Sequence, residues 1–301
     1  MDIRPVVIPD ELEMCVDVWL RAMNDVGQRQ GDPPMSADDV AWLPVSLSHL
    51  ATSDPGRFLL SLRDGKPVAF GCAFERDDFW FLSELMVLPE AQGAGIGTGL
   101  LEALLPDEVD RSTMTLATVV ESRQPTSTLL YSRYGMVPRV PLYWMEGIRD
   151  PGSLPALADG VVICPLDLGQ HGDAIDHFDQ AYLGYTRAQD HRMFSEESES
   201  AWVYFSADDD VVGYSYVQPE GWLSPVAATD EKLTAGILRS LVEGGHVPED
   251  KVTIQIGGDA GGLLPMLARA GMRCEEGARL IYCSNGSVPP PGYLHFGGYH
   301  P

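Results

Sequence analysis

Two stretches of this chain, about half its length apart, run through the same order of elements. In the first, Arg57–Phe74 reads as a hairpin, because two apolar runs flank the tight-turn dipeptide Asp64-Gly65. A strand over Trp80–Val87, a glycine-rich stretch and an apolar helix from Gly97 to Leu105 follow. In the second, Ala201–Phe205 and Val211–Val217 flank Ala207–Asp210, ahead of a strand over Gly221–Ala228 and a helix over Leu233–Glu243. Gly71 then matches Gly213, Val87 matches Val226 and Tyr131 matches Leu267, at offsets of 142, 139 and 136 residues. Such near-constant spacing implies two copies of one α+β unit. The turn-rich stretch Arg149–Pro155 places the boundary, giving domains at 1–150 and 151–287 and an irregular tail at 288–301 with three consecutive prolines. Residues 27–56 read as a polar insertion, with a short helix starting near Ser36–Asp39.

Composition removes several function classes. With 301 residues, 45% hydrophobic and 21% charged, the chain has enough apolar material for packed cores and is neither disordered nor a coiled coil. Its 44 acidic against 20 basic residues give a net charge of −24, spread as −11 and −13 over the two halves. A nucleic-acid partner is not expected of so acidic a chain. Solvated acidic surface and an acidic cleft for a cationic amine are both compatible with it. No apolar run reaches the ~18–20 residues of a membrane span, and the start, Met1–Pro5, lacks signal-peptide features. Five cysteines without a CxxC pair suggest neither disulfides nor zinc, so a cytoplasmic protein is expected. His171, His177 and His191 with Asp173, Asp176 and Asp179 have no metal-ligand spacing and read as a solvated helix face, so no metal is expected.

The segment with most chemical content is Leu82–Leu101. Glycines at 93, 95 and 97 allow a tight turn and leave amide N–H groups bare at a helix start, an arrangement that attracts phosphate. A dinucleotide fingerprint would need glycine at 98 or 100, where Thr98 and Leu100 stand, and the Gly-Lys-Ser/Thr ending of a P-loop is missing. Instead Gln92-Gly93-Ala94-Gly95-Ile96-Gly97, preceded by Leu85-Met86-Val87-Leu88-Pro89, resembles the acyl-CoA signature of the GNAT N-acyltransferase superfamily. Leu130-Tyr131-Ser132-Arg133-Tyr134-Gly135-Met136 resembles the family's downstream Leu-Tyr-x-x-x-Gly-Phe, with Met136 for Phe and Gln124 for the usual Asn. The resemblance covers about residues 1–147, and the second half by element order alone.

It implies two tandem GNAT-like domains of the α+β class, each a mixed, mostly antiparallel sheet flanked by helices. It also implies an N-acetyltransferase that moves the acetyl group of acetyl-CoA to a primary amine by direct attack. The amides from Gly93 through Ala94, Gly95, Ile96 and Gly97 to Thr98 would cradle the CoA pyrophosphate, beside Gln92. Met86 and Val87 would run along the pantetheine arm, and the Leu85 amide would donate to the thioester carbonyl, where charge develops. Tyr131 would protonate the departing thiolate, a role that suits a group protonated at neutral pH. Glu84 is the ionisable residue on the strand before the loop and a candidate base, although neighbouring strand residues face opposite sides unless a bulge re-aims one. Other acids or a water chain could serve in its place.

The second copy lacks this chemistry. Thr229-Asp230-Glu231-Lys232 replaces the glycine turn, and its two carboxylates would repel a phosphate. It resembles the inactive half of tandem GNAT proteins and would act as a scaffold or a wall of the substrate site. The acceptor stays open, with a small cationic amine ahead of a polypeptide, and the acyl group need not be acetyl. A tandem repeat favours a monomer over a homodimer. A non-catalytic module that senses acyl-CoA or another metabolite is the competing reading.

Overall fold

The computed structural model describes residues 2–107, 112–122, 124–275, 277–285 and 289–295. They form two compact units, Met1–Thr118 and Val119–Pro301.

Unit 1 contains β1 (Asp2–Pro5), α1 (Leu12–Gln30), α2 (Leu43–Ser53), β2 (Phe58–Arg63), β3 (Lys66–Arg76), β4 (Phe79–Val87), α3 (Ile96–Leu104) and the start of β5 (Thr115–Glu121). Its strands lie in the order β1-β2-β3-β4-β5, antiparallel except for the parallel pair β4–β5. The expected hairpin is present. Asp64 and Gly65 both have positive φ (53° and 72°), the two-residue turn whose twist matches antiparallel strands. The insertion carries more helix than the one start expected near Ser36–Asp39. α2 buries Leu43, Leu47 and Leu50, a four-and-three spacing that lines one helix face. Each such side chain contributes roughly 1.5–3 kcal/mol when buried. Ser36 donates from N–H and Oγ to the Asp39 carboxylate (2.7 Å each), opening a short 3-10 turn at Asp38–Val40.

Unit 2 contains α4 (Pro125–Ser132), β6 (Val137–Glu146), β7 (Val162–Pro165), α5 (Leu168–Tyr182), α6 (Ala188–Glu197), β8 (Ser200–Phe205), β9 (Val211–Val217) and β10 (Leu223–Ala228). α7 (Glu231–Glu243), β11 (Thr253–Gly257), α8 (Leu263–Arg269), β12 (Arg273–Cys274) and β13 (Arg279–Cys283) complete it. Strands β7-β8-β9-β10 form an antiparallel sheet, while β11, β12 and β13 all pair with β6. A single parallel bridge, Trp222–Thr253, joins the approaches to β10 and β11. Helix α7 and strands β10 and β11 share one apolar core through Leu238, Leu241, Val226 and Ile256. α4 and β6 belong to this unit, although both precede residue 150.

The order hairpin, strand, helix recurs, as the repeat implies, but its finer alignment changes. Gly71 stands opposite Leu85, whereas Gly213 stands opposite Ala228. Matching the glycines therefore sets Leu85 with Ala228, and Val87 cannot at the same time match Val226. The histidine and aspartate cluster is a solvated face only in part: Asp173 and His177 are exposed, whereas Asp179 and His191 are buried and 2.8 Å apart. Among the described residues no helix is long and apolar enough to cross a membrane.

Candidate functional site

The site in unit 1 is built on the second half of β4. Parallel pairing of β4 with β5 ends at Leu82–Thr118, where Thr118 Oγ1 donates to the Leu82 carbonyl at 2.9 Å. Beyond that point β4 has a ladder only with β3 among the described residues. Which groups face the unpaired edge follows from the register. The Leu88 N–H donates to the Val68 carbonyl (2.9 Å), so Leu88 and, at alternate positions, Met86 and Glu84 point their backbone groups toward β3. Leu85 and Val87 therefore carry N–H and C=O outward. Gln92 reaches back to close the strand end, donating from Nε2 to the Val87 carbonyl at 3.1 Å. Met86, which was expected beside these two, turns its backbone to β3 instead.

The outward edge leads into the glycine turn. Gln92, Gly93, Ala94 and Gly95 are exposed, and Ile96 is buried as the anchor of α3. Gly93 and Gly95 hold φ of 76° and 79°, which costs a residue with a side chain ~1–2 kcal/mol. A Cβ on either would meet nothing within 4 Å, so backbone conformation and access, not crowding within the chain, call for glycine. The first intrahelical bond of α3 runs from the Gly99 N–H to the Gly95 carbonyl (3.0 Å). The N–H groups of Ile96, Gly97 and Thr98 thus have no partner inside the helix and sit at the positive end of its dipole. A phosphate fits such a cradle.

A β-bulge sets the direction of Glu84. Cys72 pairs with Glu84 but Ala73 pairs with Leu82, leaving Ser83 as the extra residue on β4. Trp80 and Leu85, five positions apart, consequently share the α3 face: Trp80 Nε1 donates to the Leu104 carbonyl, and the Leu85 and Leu104 side chains both close on Gly71. Glu84 takes the opposite, α1 face, where its buried carboxylate accepts from Trp19 Nε1 at 3.1 Å. Trp19 escapes a sequence reading because 65 residues separate it from Glu84. Burial pushes the Cys15 thiol up to about 12, and burial beside Glu84 raises Cys72. Neither supplies a thiolate at neutral pH.

The Trp19 contact is testable. Removing a donor from a buried carboxylate weakens its charged form. A Trp19→Phe protein is expected to show the acidic limb of its kcat/KM profile moved to higher pH, with stability lower by ~1–3 kcal/mol. An unmoved profile would take Glu84 out of the proton path.

Beside the site lies a groove of about 470 Å³ between the end of α1 and the Pro89–Glu90 turn. Asp25, Asp32 and Glu90 line it with Arg21, whose guanidinium already pairs with Glu90 (2.5 Å) and Asp17 (3.6 Å). Asn24 shapes its rim by exchanging two hydrogen bonds with the Met35 backbone (2.9 and 2.7 Å). Tyr131 belongs to unit 2. It is buried on α4, edge-on to Tyr282 at 6.3 Å between ring centroids.

Residues 23–136 match the model of the acetyltransferase (GNAT) family. Among solved structures, a presumed acetyltransferase from Pyrococcus horikoshii aligns over 100% of this chain and 95% of its own, at 17% identity and a TM-score of 0.72. A GCN5-related N-acetyltransferase from Sphaerobacter thermophilus aligns over 96% of each chain at 16% identity and 0.59. A tandem GNAT protein from the clavulanic acid biosynthesis pathway covers 96% of this chain and 99% of its own, at 17% identity and 0.57. No curated protein matches the sequence. The full-length likeness is one of fold, and the match to the acetyltransferase (GNAT) family model lies within residues 23–136.

Proposed function

We propose that the chain transfers the acetyl group of acetyl-CoA directly to the primary amine of a small cationic molecule. The observation that carries this reading is the unpaired β4 edge, with Leu85 and Val87 turned outward, running into the exposed Gly93–Gly95 turn and the start of α3. Val87 offers the pantetheine arm a strand-like partner. The N–H groups from Gly93 to Thr98 hold the pyrophosphate, and the Leu85 N–H stabilises the oxyanion that forms on the thioester carbonyl. Glu84 takes the ammonium proton, directly or through water, so that the free amine attacks. Tyr131 returns a proton to the CoA thiolate, a role that rests on the Leu130–Met136 motif. The carboxylates of the groove outnumber its single, already paired arginine, which supports a cationic acceptor.

Calorimetric titration with acetyl-CoA is expected to give one site per chain. Gly95→Val adds a β-branched side chain at φ 79°, where strain of ~1–2 kcal/mol corresponds to a loss of about tenfold or more in affinity. No binding would overturn the acetyl-CoA assignment. Tight binding without turnover across a panel of cationic amines would favour an acyl-CoA sensor.

A further inference from the structure

The tail enters unit 2 as a strand. Leu294 and Val226 exchange backbone hydrogen bonds (2.9 and 3.1 Å), and Leu294 also bridges Ile256 of β11. The His295 N–H donates to the Gln255 carbonyl at 2.9 Å. Side chains fasten the segment as well: Ser224 Oγ donates to the His295 carbonyl (2.5 Å), Thr234 Oγ1 to the Gly292 carbonyl (3.1 Å), and Arg187 Nη1 to the Tyr293 hydroxyl (2.7 Å). Tyr293, Leu294 and His295 are at most 2% exposed, too deep for a loosely draped terminus. Burial, with the Arg187 charge, lowers the His295 imidazole to about 3, so the segment docks as a neutral one.

The place it occupies is informative. The Thr229 N–H bonds the Val212 carbonyl (3.0 Å), so Ala228 and Val226 turn their backbone groups away from β9, as Leu85 and Val87 turn theirs away from β3. Past the Trp222–Thr253 bridge, Val226 of β10 and Ile256 of β11 meet Leu294 instead of each other. At the start of α7, the Asp230 carboxylate accepts from the Lys232 and Leu233 N–H groups (2.9 Å each), where an open helix start would receive a phosphate.

We propose that unit 2 binds the chain's own segment Tyr293–His295 as an internal β-strand ligand, in the seat that unit 1 leaves open for the pantetheine arm. The comparison of seats rests on the acyl-donor reading of unit 1; the docking of the tail does not. With Asp230 in the phosphate position, unit 2 fills its own donor site with a peptide and a carboxylate.

Hydrogen exchange on the intact chain tests the docking directly. The Val226, Leu294 and His295 amides are expected to exchange at least ~100-fold more slowly than in an unstructured peptide. Exchange at the unstructured rate overturns the proposal. In a chain ending at Val288, residues 223–228 and 253–257 should exchange at least ~10-fold faster, and a synthetic peptide of residues 289–301 should restore protection. Where the shortened chain fails to fold, Leu294→Gly in the full chain replaces it, and unchanged exchange at Val226 overturns the proposal. A second acetyl-CoA site in the intact chain would also overturn it, whereas loss of the first would overturn only the acetyl-CoA assignment.

Discussion

A Tyr131→Phe protein is expected to lose about 10²- to 10³-fold in kcat while keeping its fold and its affinity for acetyl-CoA. The substitution deletes one oxygen and little else. The ring is 6% exposed and packs edge-on against Tyr282, a contact that phenylalanine keeps. Tyr282 is itself held by a 2.8 Å bond to Thr128 Oγ1, so the ring's neighbour stays in place. The Tyr131 carbonyl accepts from the Tyr134 and Met136 N–H groups, which fixes the end of α4 independently of the hydroxyl. A lost neutral hydrogen bond changes stability by only ~0.5–1.5 kcal/mol. The chemical effect is larger, because without a proton donor the amine must expel a free thiolate. Release of CoA thiol, followed under saturating and limiting donor, separates the two cases. A fall in kcat and kcat/KM by the same factor marks an interaction made only in the transition state. An unchanged rate would remove Tyr131 from the mechanism.

Features encoded in short windows were legible from residues alone. Asp64-Gly65 announced its hairpin because both positions must adopt positive φ, and the glycine turn after β4 announced itself for the same reason. The direction of Glu84 was not legible. It depends on Ser83 being the extra residue against β3 and on a tryptophan 65 positions away, and neither leaves a trace in the local pattern. α2 hid because its apolar residues lie among Pro44, Ser46, Ser48 and His49, so its helical face was read only as part of a polar insertion. The tail has no period at all, since its burial comes from bridges of Leu294 to two strands and from side chains of other elements. Asp179 misled for a related reason. On its own helix it looks like one more acid of an exposed stripe, and its partners Arg187, His191 and Tyr214 come from elsewhere in unit 2.

Those partners make Asp179 a sensitive position of unit 2. Its Oδ2 accepts from Arg187 Nε (3.0 Å) and lies 2.8 Å from His191 Nε2, and its Oδ1 accepts from the Tyr214 hydroxyl (2.8 Å). Asp179 is fully buried, and Arg187 and His191 are each 1% exposed. Asp179→Ala would take a carboxylate away from the Arg187 guanidinium in the interior, whose Nη atoms donate to the Tyr293 and Tyr214 hydroxyls. Breaking a buried pair in this way typically costs ~3–5 kcal/mol, whereas replacing both members by apolar residues of similar volume is often close to neutral. Urea unfolding should therefore show a loss of ~3–5 kcal/mol for Asp179→Ala and a much smaller loss for Asp179→Leu combined with Arg187→Met. Equal losses in the two proteins would mean that packing, not the stranded charge, sets the cost. Acid provides a second readout. Burial pushes the Asp179 carboxyl up, but the Arg187 and His191 charges, with hydrogen bonds from His191 and Tyr214, outweigh it and hold the group below its ordinary value. A depressed carboxyl stabilises the fold above its unfolded pKa of about 3.9, and that contribution disappears as pH falls through the lower folded value. The gap between wild type and Asp179→Ala should therefore narrow as pH falls below about 4. The Arg187–Tyr293 bond belongs to the same cluster, so the residue that anchors the tail is also the one that Asp179 keeps in charge balance.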